Sequence, residues 1–206
     1  MKIYLVRHGE TEWNVEGRLQ GKKNSQLTKK GIDDAKALQK KLKEVHFSKI
    51  YSSPLQRAKE TAKILKGERE IGITLDPLLE EMGFGVWEGK SRQEIEEFWY
   101  EEFFHFWNEP QHYTPVDESG EEFNEVCRRT DEFLRKIHHE KRSGAVLVVA
   151  HGVVIKCIYA RIKNLPLKDL WSPPFPKGTS LTIIEKTSDG ESFLLEADTS
   201  HLNENT

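Results

Sequence analysis

The chain has few cysteines, no long apolar run and no large excess of charge of one sign. Two cysteines, Cys127 and Cys157, are too few for a disulfide framework in 206 residues. No apolar stretch approaches the roughly 20 residues that a membrane-spanning helix needs. The formal net charge of −3 creates no overall field that would attract nucleic acid or acidic lipid. We therefore expect a soluble, cytoplasmic protein that binds neither nucleic acid nor membrane.

The length and the order of apolar segments predict one α/β domain. A chain of 206 residues is long for one domain and short for two, and we expect a single domain over residues 1–206. Short apolar runs alternate with helical patterns, which predicts a three-layer α/β/α sandwich with a mostly parallel sheet. Residues 91–125 are expected to form a small helical cap insertion. The sequence leaves open whether the protein is a monomer or a homodimer.

Periodicity and capping residues predict the individual elements. Strands are expected at residues 2–6, 47–51, 73–75 and 145–150, followed by a hairpin of residues 181–185 and 193–197 that turns at Ser188-Asp189-Gly190. Helices are expected at residues 29–44, from an N-cap at Ser53 to about residue 66, at residues 91–108 and at residues 121–139. Residues 110–120 are expected to form a surface loop.

Two predicted strands end in a histidine followed by a glycine. The first strand runs into Arg7-His8-Gly9, and the strand of residues 145–150 runs into His151-Gly152. Open α/β sheets bind ligands at the carboxyl ends of their strands, and glycine allows a ligand to approach the backbone closely. If the two strands are parallel neighbours, both histidines face one crevice.

This set of residues suits the chemistry of a phosphomonoester, which needs a nucleophile, positive groups around the phosphoryl oxygens and a proton donor. His8 is the candidate nucleophile, because an ordinary imidazole is mostly neutral at pH 7. Arg7 and Arg57 can hold phosphate oxygens through planar guanidinium groups, and His151 would be a third electrophilic contact. Further contacts with phosphate or substrate are expected from the residues Asn14, Gln20, Gly21 and Gly152.

Taken singly, each of these residues has a structural explanation. The Arg7-His8-Gly9-Glu10 segment could be a turn without activity, His151 a hydrogen-bonded structural histidine, and Arg57 a solvated helix residue. Because all of them occur in one chain, a catalytic site is a better explanation than three separate structural roles. Adjacent His138 and His139 point in different directions on a helix, so they lack the spacing of a ligand pair. We predict no metal and no cofactor.

Several motifs resemble those of the histidine phosphatase superfamily, in the branch of the phosphoglycerate mutases and related phosphatases. They are, in order, Leu5-Val6-Arg7-His8-Gly9-Glu10-Thr11, Trp13-Asn14, Ser52-Ser53-Pro54 with Arg57, Gly85-Val86-Trp87-Glu88-Gly89, and His151-Gly152. Residues 170–174, 178–180 and 183–185 resemble bacterial broad-specificity phosphatases of this branch. The resemblance implies metal-independent hydrolysis through a phosphohistidine on His8.

The proton donor is expected among two adjacent glutamates, Glu80 and Glu81, and spacing alone does not choose between them. The resemblance implies Glu81, because the acid of the family lies four residues before the first glycine of the turn that begins at Gly85. Glu81 would protonate the leaving alkoxide and then take a proton from the water that attacks phospho-His8.

The segment of residues 95–107 is rich in aromatic residues, interleaved with glutamates. An amphipathic helix with its aromatics packed inward accounts for most of them, and some are expected to line the mouth of the site. With Met82 and Phe84 beside it, such a pocket would accept aromatic or apolar phosphate esters better than highly charged ones. Residues 170–176 are interpreted as a packed loop rather than a surface for association.

The same segment bears on the choice between hydrolysis and phosphoryl transfer. Residues 98–107 contain no lysine or arginine, whereas a mutase must hold a second anionic group while its substrate turns over. We therefore predict hydrolysis rather than transfer. The resemblance implies a phosphatase of broad specificity that acts on small phosphorylated metabolites, with 3-phosphoglycerate among the candidate substrates. The alternatives are a dedicated phosphatase for phosphoserine or a cobalamin precursor, a phosphoglycerate mutase, and a module that binds phosphate without turnover.

Overall fold

A single six-stranded sheet forms the centre of the protein, in a computed structural model that describes residues 1–140, 144–188 and 190–202. Its strands are β1 (Lys2–Arg7), β2 (Phe47–Ser52), β3 (Ile73–Leu75), β4 (Ala145–Ala150), β5 (Leu181–Thr187) and β6 (Gly190–Asp198). The order across the sheet is β3-β2-β4-β1-β5-β6. Strands β1 to β4 are mutually parallel, whereas β5 runs antiparallel to β1 and β6 antiparallel to β5. The predicted α/β class with a mostly parallel sheet is confirmed.

Helices cover both faces of this sheet. They are α1 (Glu12–Val15), α2 (Lys29–Lys41), α3 (Gln56–Lys66), α4 (Arg92–Phe98), α5 (Tyr100–Asn108), α6 (Phe123–His139) and α7 (Gly152–Ile162). Short 3-10 helices lie at Pro77–Leu79, Gly85–Trp87, Pro110–His112, Leu167–Asp169 and Ser200–Leu202. None of the helices in the described part of the chain has the length and apolar character that crossing a membrane requires.

The alternation of side chains along the strands divides the apolar core into two clusters. On one face, Val149 of β4 packs in a cluster with Leu38 of α2 and Ala62 of α3. On the other face, Val148 packs in a larger cluster with Phe133 of α6 and with α7. Every residue of β4 is buried, as expected for a central parallel strand covered on both sides.

The pairing of β1 with β4 brings the two histidine segments together. Arg7 is opposite Ala150 in the register, and the His8 amide donates to the Ala150 carbonyl at 3.0 Å. His8 and His151 are therefore the first residues beyond the carboxyl ends of two hydrogen-bonded neighbours. The parallel pairing that the sequence argument required is present.

Several predicted boundaries differ from the structure. The helix expected at residues 91–108 is two helices, because Trp99 adopts a non-helical backbone (φ −140°, ψ 55°) between them. This break lets α5 turn Phe106 into the core. Helix α3 begins at Gln56 with Leu55 as its N-cap, so Ser53 does not cap the helix, although Arg57 does lie in the first turn.

The remaining differences are local. Helix α2 ends at Lys41, α6 begins at Phe123, and a 3-10 helix occupies the start of the loop predicted at residues 110–120. The hairpin strands β5 and β6 are longer than expected, and Asp189 of the predicted turn lies outside the described residues.

Candidate active site

A cavity of about 410 Å³ opens beyond the carboxyl ends of β1 and β4. Its polar and charged lining consists of Arg7, His8, Asn14, Arg18, Gln20, Arg57, Glu81 and Arg92. Its aromatic lining consists of Phe84, Phe106, Trp107, Trp171 and Phe175. One part of the cavity surface is thus charged, and the other consists of these five aromatic side chains, which we call the aromatic wall.

His8 is held with one ring nitrogen bonded to the backbone. Its Nδ1 lies 2.7 Å from the Gly9 carbonyl oxygen. Because a carbonyl oxygen can only accept, the neutral ring carries its proton on Nδ1 and keeps the lone pair of Nε2 for the cavity. Burial, together with the positive charges of Arg57 and Arg7, lowers the pKa of His8 well below its ordinary value of 6.5. The imidazole is therefore neutral at pH 7.

His151 lies beside His8 and beneath the cavity surface. The two ring centroids are 5.1 Å apart, and the planes are inclined at 55°. The Nε2 atom of His151 is 2.7 Å from the Ser53 hydroxyl, which fixes the ring from the loop after β2. Burial and the charge of Arg57 also lower the pKa of His151 well below 6.5.

Two guanidinium groups flank the histidines, that of the buried Arg57 and that of the half-buried Arg7. Arg57 donates to the carbonyls of Lys23 at 2.6 Å and Gly21 at 2.7 Å, and Arg7 donates to the Pro176 carbonyl at 2.9 Å. Burial lowers the pKa of Arg57 to about 10, against the opposing effect of Glu81, so the group stays positive at neutral pH. Each arginine is thus anchored through its terminal nitrogens to a loop at the edge of the cavity.

Three buried polar atoms around this point have no hydrogen-bond partner in the described part of the chain. They are the Nε atoms of Arg7 and Arg57 and the Nδ1 atom of His151. Buried polar groups are nearly always paired in folded proteins. A cluster of such atoms beside one cavity suits an anion with several acceptor oxygens.

Glu81 presents its carboxylate to the same cavity and is 7% exposed. The backbone amide of Met82 donates to its Oε1 at 2.9 Å, and the amide of Val153 in the first turn of α7 donates to its Oε2 at 3.3 Å. In its ionised form, Glu81 raises the pKa of Arg7 and Arg57 against the effect of burial. Glu80 is half-buried and is not among the residues that line this cavity.

Three residues of the segment after β1, Asn14 in α1 and the loop residues Gln20 and Gly21, also line the cavity, but the segment itself uses most of their polar groups. The Asn14 amide oxygen accepts from the Thr11 backbone at 3.1 Å, and the Gln20 amide donates to the Thr11 hydroxyl at 2.7 Å. Gly21 has a positive φ of 52°, and a Cβ at this position would lie 2.0 Å from Glu88 Oε1. Gly21 is required by the backbone here, and its carbonyl orients Arg57.

Gly152 and Phe84 line the cavity, whereas Met82 does not. A Cβ on Gly152 would come within 3.4 Å of the Phe175 ring and 3.6 Å of Glu81 Oε2, so glycine keeps this approach open. The expectation that Met82 lies beside the substrate is wrong for its side chain, which is fully buried in the larger core cluster. It contributes its backbone amide to Glu81 instead.

Sequence reasoning missed several residues at the mouth. Arg18 and Arg92 add positive charge there, so the mouth is not purely apolar. Arg18 pairs with Glu16 at 2.6 Å, whereas Arg92 lies over the Trp107 ring at 5.0 Å. Ser91 caps α4, and Arg92 is the first residue of that helix. The capping pattern at Ser91 is the sequence signal that could have placed Arg92 at a helix start close behind the Gly85–Trp87 turn.

Relatives of known name cover most of the chain. The adenosylcobalamin/alpha-ribazole phosphatase of Escherichia coli (strain K12) is 31% identical over 171 residues, 83% of each chain. A probable phosphoglycerate mutase, GpmB of Escherichia fergusonii, is 34% identical over 172 residues, covering 81% of this chain and 76% of the relative. Relatives thus include both phosphatases and mutases.

A solved structure has nearly the same fold over the full length. Bacillus stearothermophilus YhfR superposes with a TM-score of 0.93 at 45% sequence identity, covering 98% of both chains. The family that carries the description histidine phosphatase superfamily (branch 1) matches residues 3–199. The chain belongs to the histidine phosphatase superfamily.

Proposed function

We propose that this protein is a metal-independent phosphomonoesterase that works through a phosphohistidine on His8, with Glu81 as the acid and base. The observation that carries this proposal is the His8 ring, bonded through Nδ1 to the Gly9 carbonyl and placed at the cavity with Arg7, Arg57 and His151 around it. A neutral imidazole is a nucleophile, and the groups around it are suited to stabilising phosphoryl oxygens.

In the first step, Nε2 of His8 attacks phosphorus while the bond from phosphorus to the ester oxygen breaks. The leaving oxygen takes the electron pair of that bond and a proton from Glu81. Positive charge from Arg7 and Arg57, with a hydrogen bond from His151, stabilises the phosphoryl oxygens in the transition state. The alcohol then leaves, and Glu81 remains as a carboxylate.

In the second step, the Glu81 carboxylate takes a proton from a water molecule as that water attacks the phosphorus of phospho-His8. The bond between nitrogen and phosphorus breaks, its electron pair returns to Nε2, and orthophosphate departs. Glu81 is protonated again, so the enzyme returns to its starting state. No step of this cycle requires a metal or a cofactor.

The aromatic wall supports substrates with aromatic or otherwise apolar leaving groups among small phosphorylated metabolites. We assign its shape to a helical cap of about residues 91–125, which contributes Phe106 and Trp107. Broad specificity follows because an apolar wall selects by size and polarity rather than by individual hydrogen bonds. A dedicated phosphatase is the second candidate, and the named alpha-ribazole phosphatase relative supports it.

A third candidate is a mutase, supported by the positive charge of Arg92 at the mouth and by the named mutase relative. Hydrolysis is preferred, because most of the wall is apolar and Arg18 is paired with glutamate. With 3-phosphoglycerate as substrate, we expect stoichiometric release of orthophosphate and little 2-phosphoglycerate. Efficient interconversion of the two phosphoglycerates with little free phosphate would establish the mutase instead.

His8 is expected to carry the phosphoryl group. The wild-type protein should hydrolyse p-nitrophenyl phosphate in excess EDTA, and rapid quenching should trap a phosphorus label that is lost in acid and retained in alkali. His8→Ala should form no adduct and lose turnover, whereas the exposed control His46→Ala should behave as wild type. A label that persists in His8→Ala would place the nucleophile elsewhere.

Replacing Glu81 by Gln should slow the enzyme most with poor leaving groups. We expect kcat for glycerol 1-phosphate to fall by about 10²- to 10⁴-fold, the usual contribution of a general acid. With p-nitrophenyl phosphate, whose leaving group needs little protonation, a burst of nitrophenolate should precede a slow steady state. The matched control is Glu80→Gln, and a larger loss in Glu80→Gln than in Glu81→Gln would reverse the assignment.

The pH dependence follows from the lowered pKa of His8. A nucleophile with a depressed pKa stays neutral as the pH falls, so the acid limb of kcat/KM should lie below pH 6.5. Arg57→Met removes a positive charge that lowers this pKa, so the limb should move to higher pH. Titration of the histidine ring nitrogens by NMR in both proteins measures the shift directly, and a His8 pKa unchanged by the substitution would contradict the electrostatic account.

A further inference from the structure

Residues 172–178, which we call the proline loop, run along the mouth of the cavity with the sequence Ser-Pro-Pro-Phe-Pro-Lys-Gly. Prolines have no backbone N–H, so much of this loop can be held to its surroundings only through its carbonyl groups and side chains. Two of those carbonyls accept from cations that lie beneath the loop, one half-buried and one fully buried. Arg7 donates to Pro176 at 2.9 Å, and Lys156 of α7 donates to Pro173 at 2.5 Å.

Phe175 lies between these two attachment points and forms part of the aromatic wall. Its ring is 5.3 Å from the guanidinium carbon of Arg7 and is 43% exposed. Among the described residues, its own backbone makes no hydrogen bond. Apart from its ring contacts with Arg7 and with Trp171, whose ring centroid is 6.2 Å away, the position of Phe175 depends on the carbonyls on either side of it.

Trp171, which precedes the proline loop, is anchored differently. Its indole N–H donates to the Phe106 carbonyl at 2.6 Å, and its ring packs 4.9 Å from that of Trp107. The Lys156 ammonium also lies over the Trp171 ring, 5.8 Å from its centroid, but the two contacts with α5 hold this part of the wall when the lysine is lost. Loss of the lysine contact should therefore displace Phe175 more than Trp171.

Lys156 is an unusual residue for its position. The side chain is fully buried in α7, and lysine is almost never fully buried without a charged partner. In the described ranges no carboxylate lies within ion-pair distance, and the hydrogen-bond acceptor is the Pro173 carbonyl alone. Burial, with the nearby charge of Lys163, lowers the pKa of Lys156 to about 8. An apolar side chain would avoid this desolvation, so the hydrogen bond to the loop and the position over the Trp171 ring are the features that distinguish lysine here.

We propose that Lys156 is a positioning residue for substrate specificity. It ties the proline loop to α7 and so holds Phe175 in the position where its ring contacts apolar leaving groups. This proposal rests on the proposed phosphomonoesterase function. Phosphate binding and leaving-group recognition are then separate tasks of the site, because Lys156 is not one of the groups that hold the phosphate. Its loss should weaken recognition of the leaving group and leave the chemistry intact.

The test compares Lys156→Met, which keeps the length of the side chain, with Lys156→Arg, which keeps a charged donor. The substrates are 1-naphthyl phosphate, with a flat apolar leaving group, and glycerol 1-phosphate, with a small polar one. For Lys156→Met, we expect KM for 1-naphthyl phosphate to rise by about 3- to 10-fold, the size of one aromatic contact. In this variant, kcat for both substrates should change by less than about 2-fold. The same limit applies to KM for glycerol 1-phosphate and to inhibition by orthovanadate. Lys156→Arg should keep KM for 1-naphthyl phosphate close to the wild-type value.

A second variant protects the test against misfolding of the lysine variants. Phe175→Ala removes a partly exposed ring and should raise KM for 1-naphthyl phosphate to a similar extent. In the double variant the two effects should not add, because both act through the same ring. The proposal is overturned if Phe175→Ala leaves this KM unchanged, if the effects add fully, or if Lys156→Met impairs both substrates equally.

Failure of the proposed function would be seen separately. If the wild-type protein hydrolyses neither ester, the phosphatase assignment is wrong, and 1-naphthyl phosphate becomes a stable ligand. Its Kd, measured by calorimetry, should then rise by the same factor in Lys156→Met and Phe175→Ala. An unchanged Kd in both variants would reject the positioning role independently of catalysis.

Discussion

Parallel pairing of β1 with β4 is the constraint on which the candidate site depends. Because side chains alternate between the faces of a strand, a shift of one residue in this register would send an entire strand's side chains to the opposite face. The apolar residues of β4 are buried on both faces, which gives such a shift a large energetic penalty. The core thus fixes where His8 and His151 emerge, and the position of the reactive groups follows from the packing beneath them.

Burial of several charged groups at one point sets the electrostatics of the site. Desolvation and the neighbouring guanidinium charges both disfavour protonated histidine, so His8 and His151 are neutral where ordinary histidines begin to protonate. When it is ionised, Glu81 partly compensates the two arginines, since its charge raises their pKa values. The same arrangement that keeps His8 neutral leaves the arginines charged beside it. The protonation states and the proposed function therefore depend on one cluster.

The sequence predicts the sheet and the convergence of the two histidines well, because strand periodicity and strand ends are local properties. It does not predict the backbone break at Trp99, since the break serves packing of Phe106 in a core formed by distant segments. Met82 was misplaced for a similar reason, because an apolar residue next to Glu81 could face either the cavity or the core. The wall contributed by Trp171 and Phe175 depends on contacts with residues far away in sequence, such as Phe106 and Arg7. No periodic pattern encodes such contacts, whereas the motifs around His8 and His151 are continuous in the chain.

The central claim is that two imidazoles and two guanidinium groups act on one phosphoryl group. A crystal structure of the wild-type protein with orthovanadate tests this claim most directly. The account predicts vanadium bonded to Nε2 of His8, with its oxygens contacted by Arg7, Arg57 and His151 and with Glu81 on the side of the leaving group. Vanadate bound away from His8, or bound there without contact to His151 and the two arginines, would contradict it.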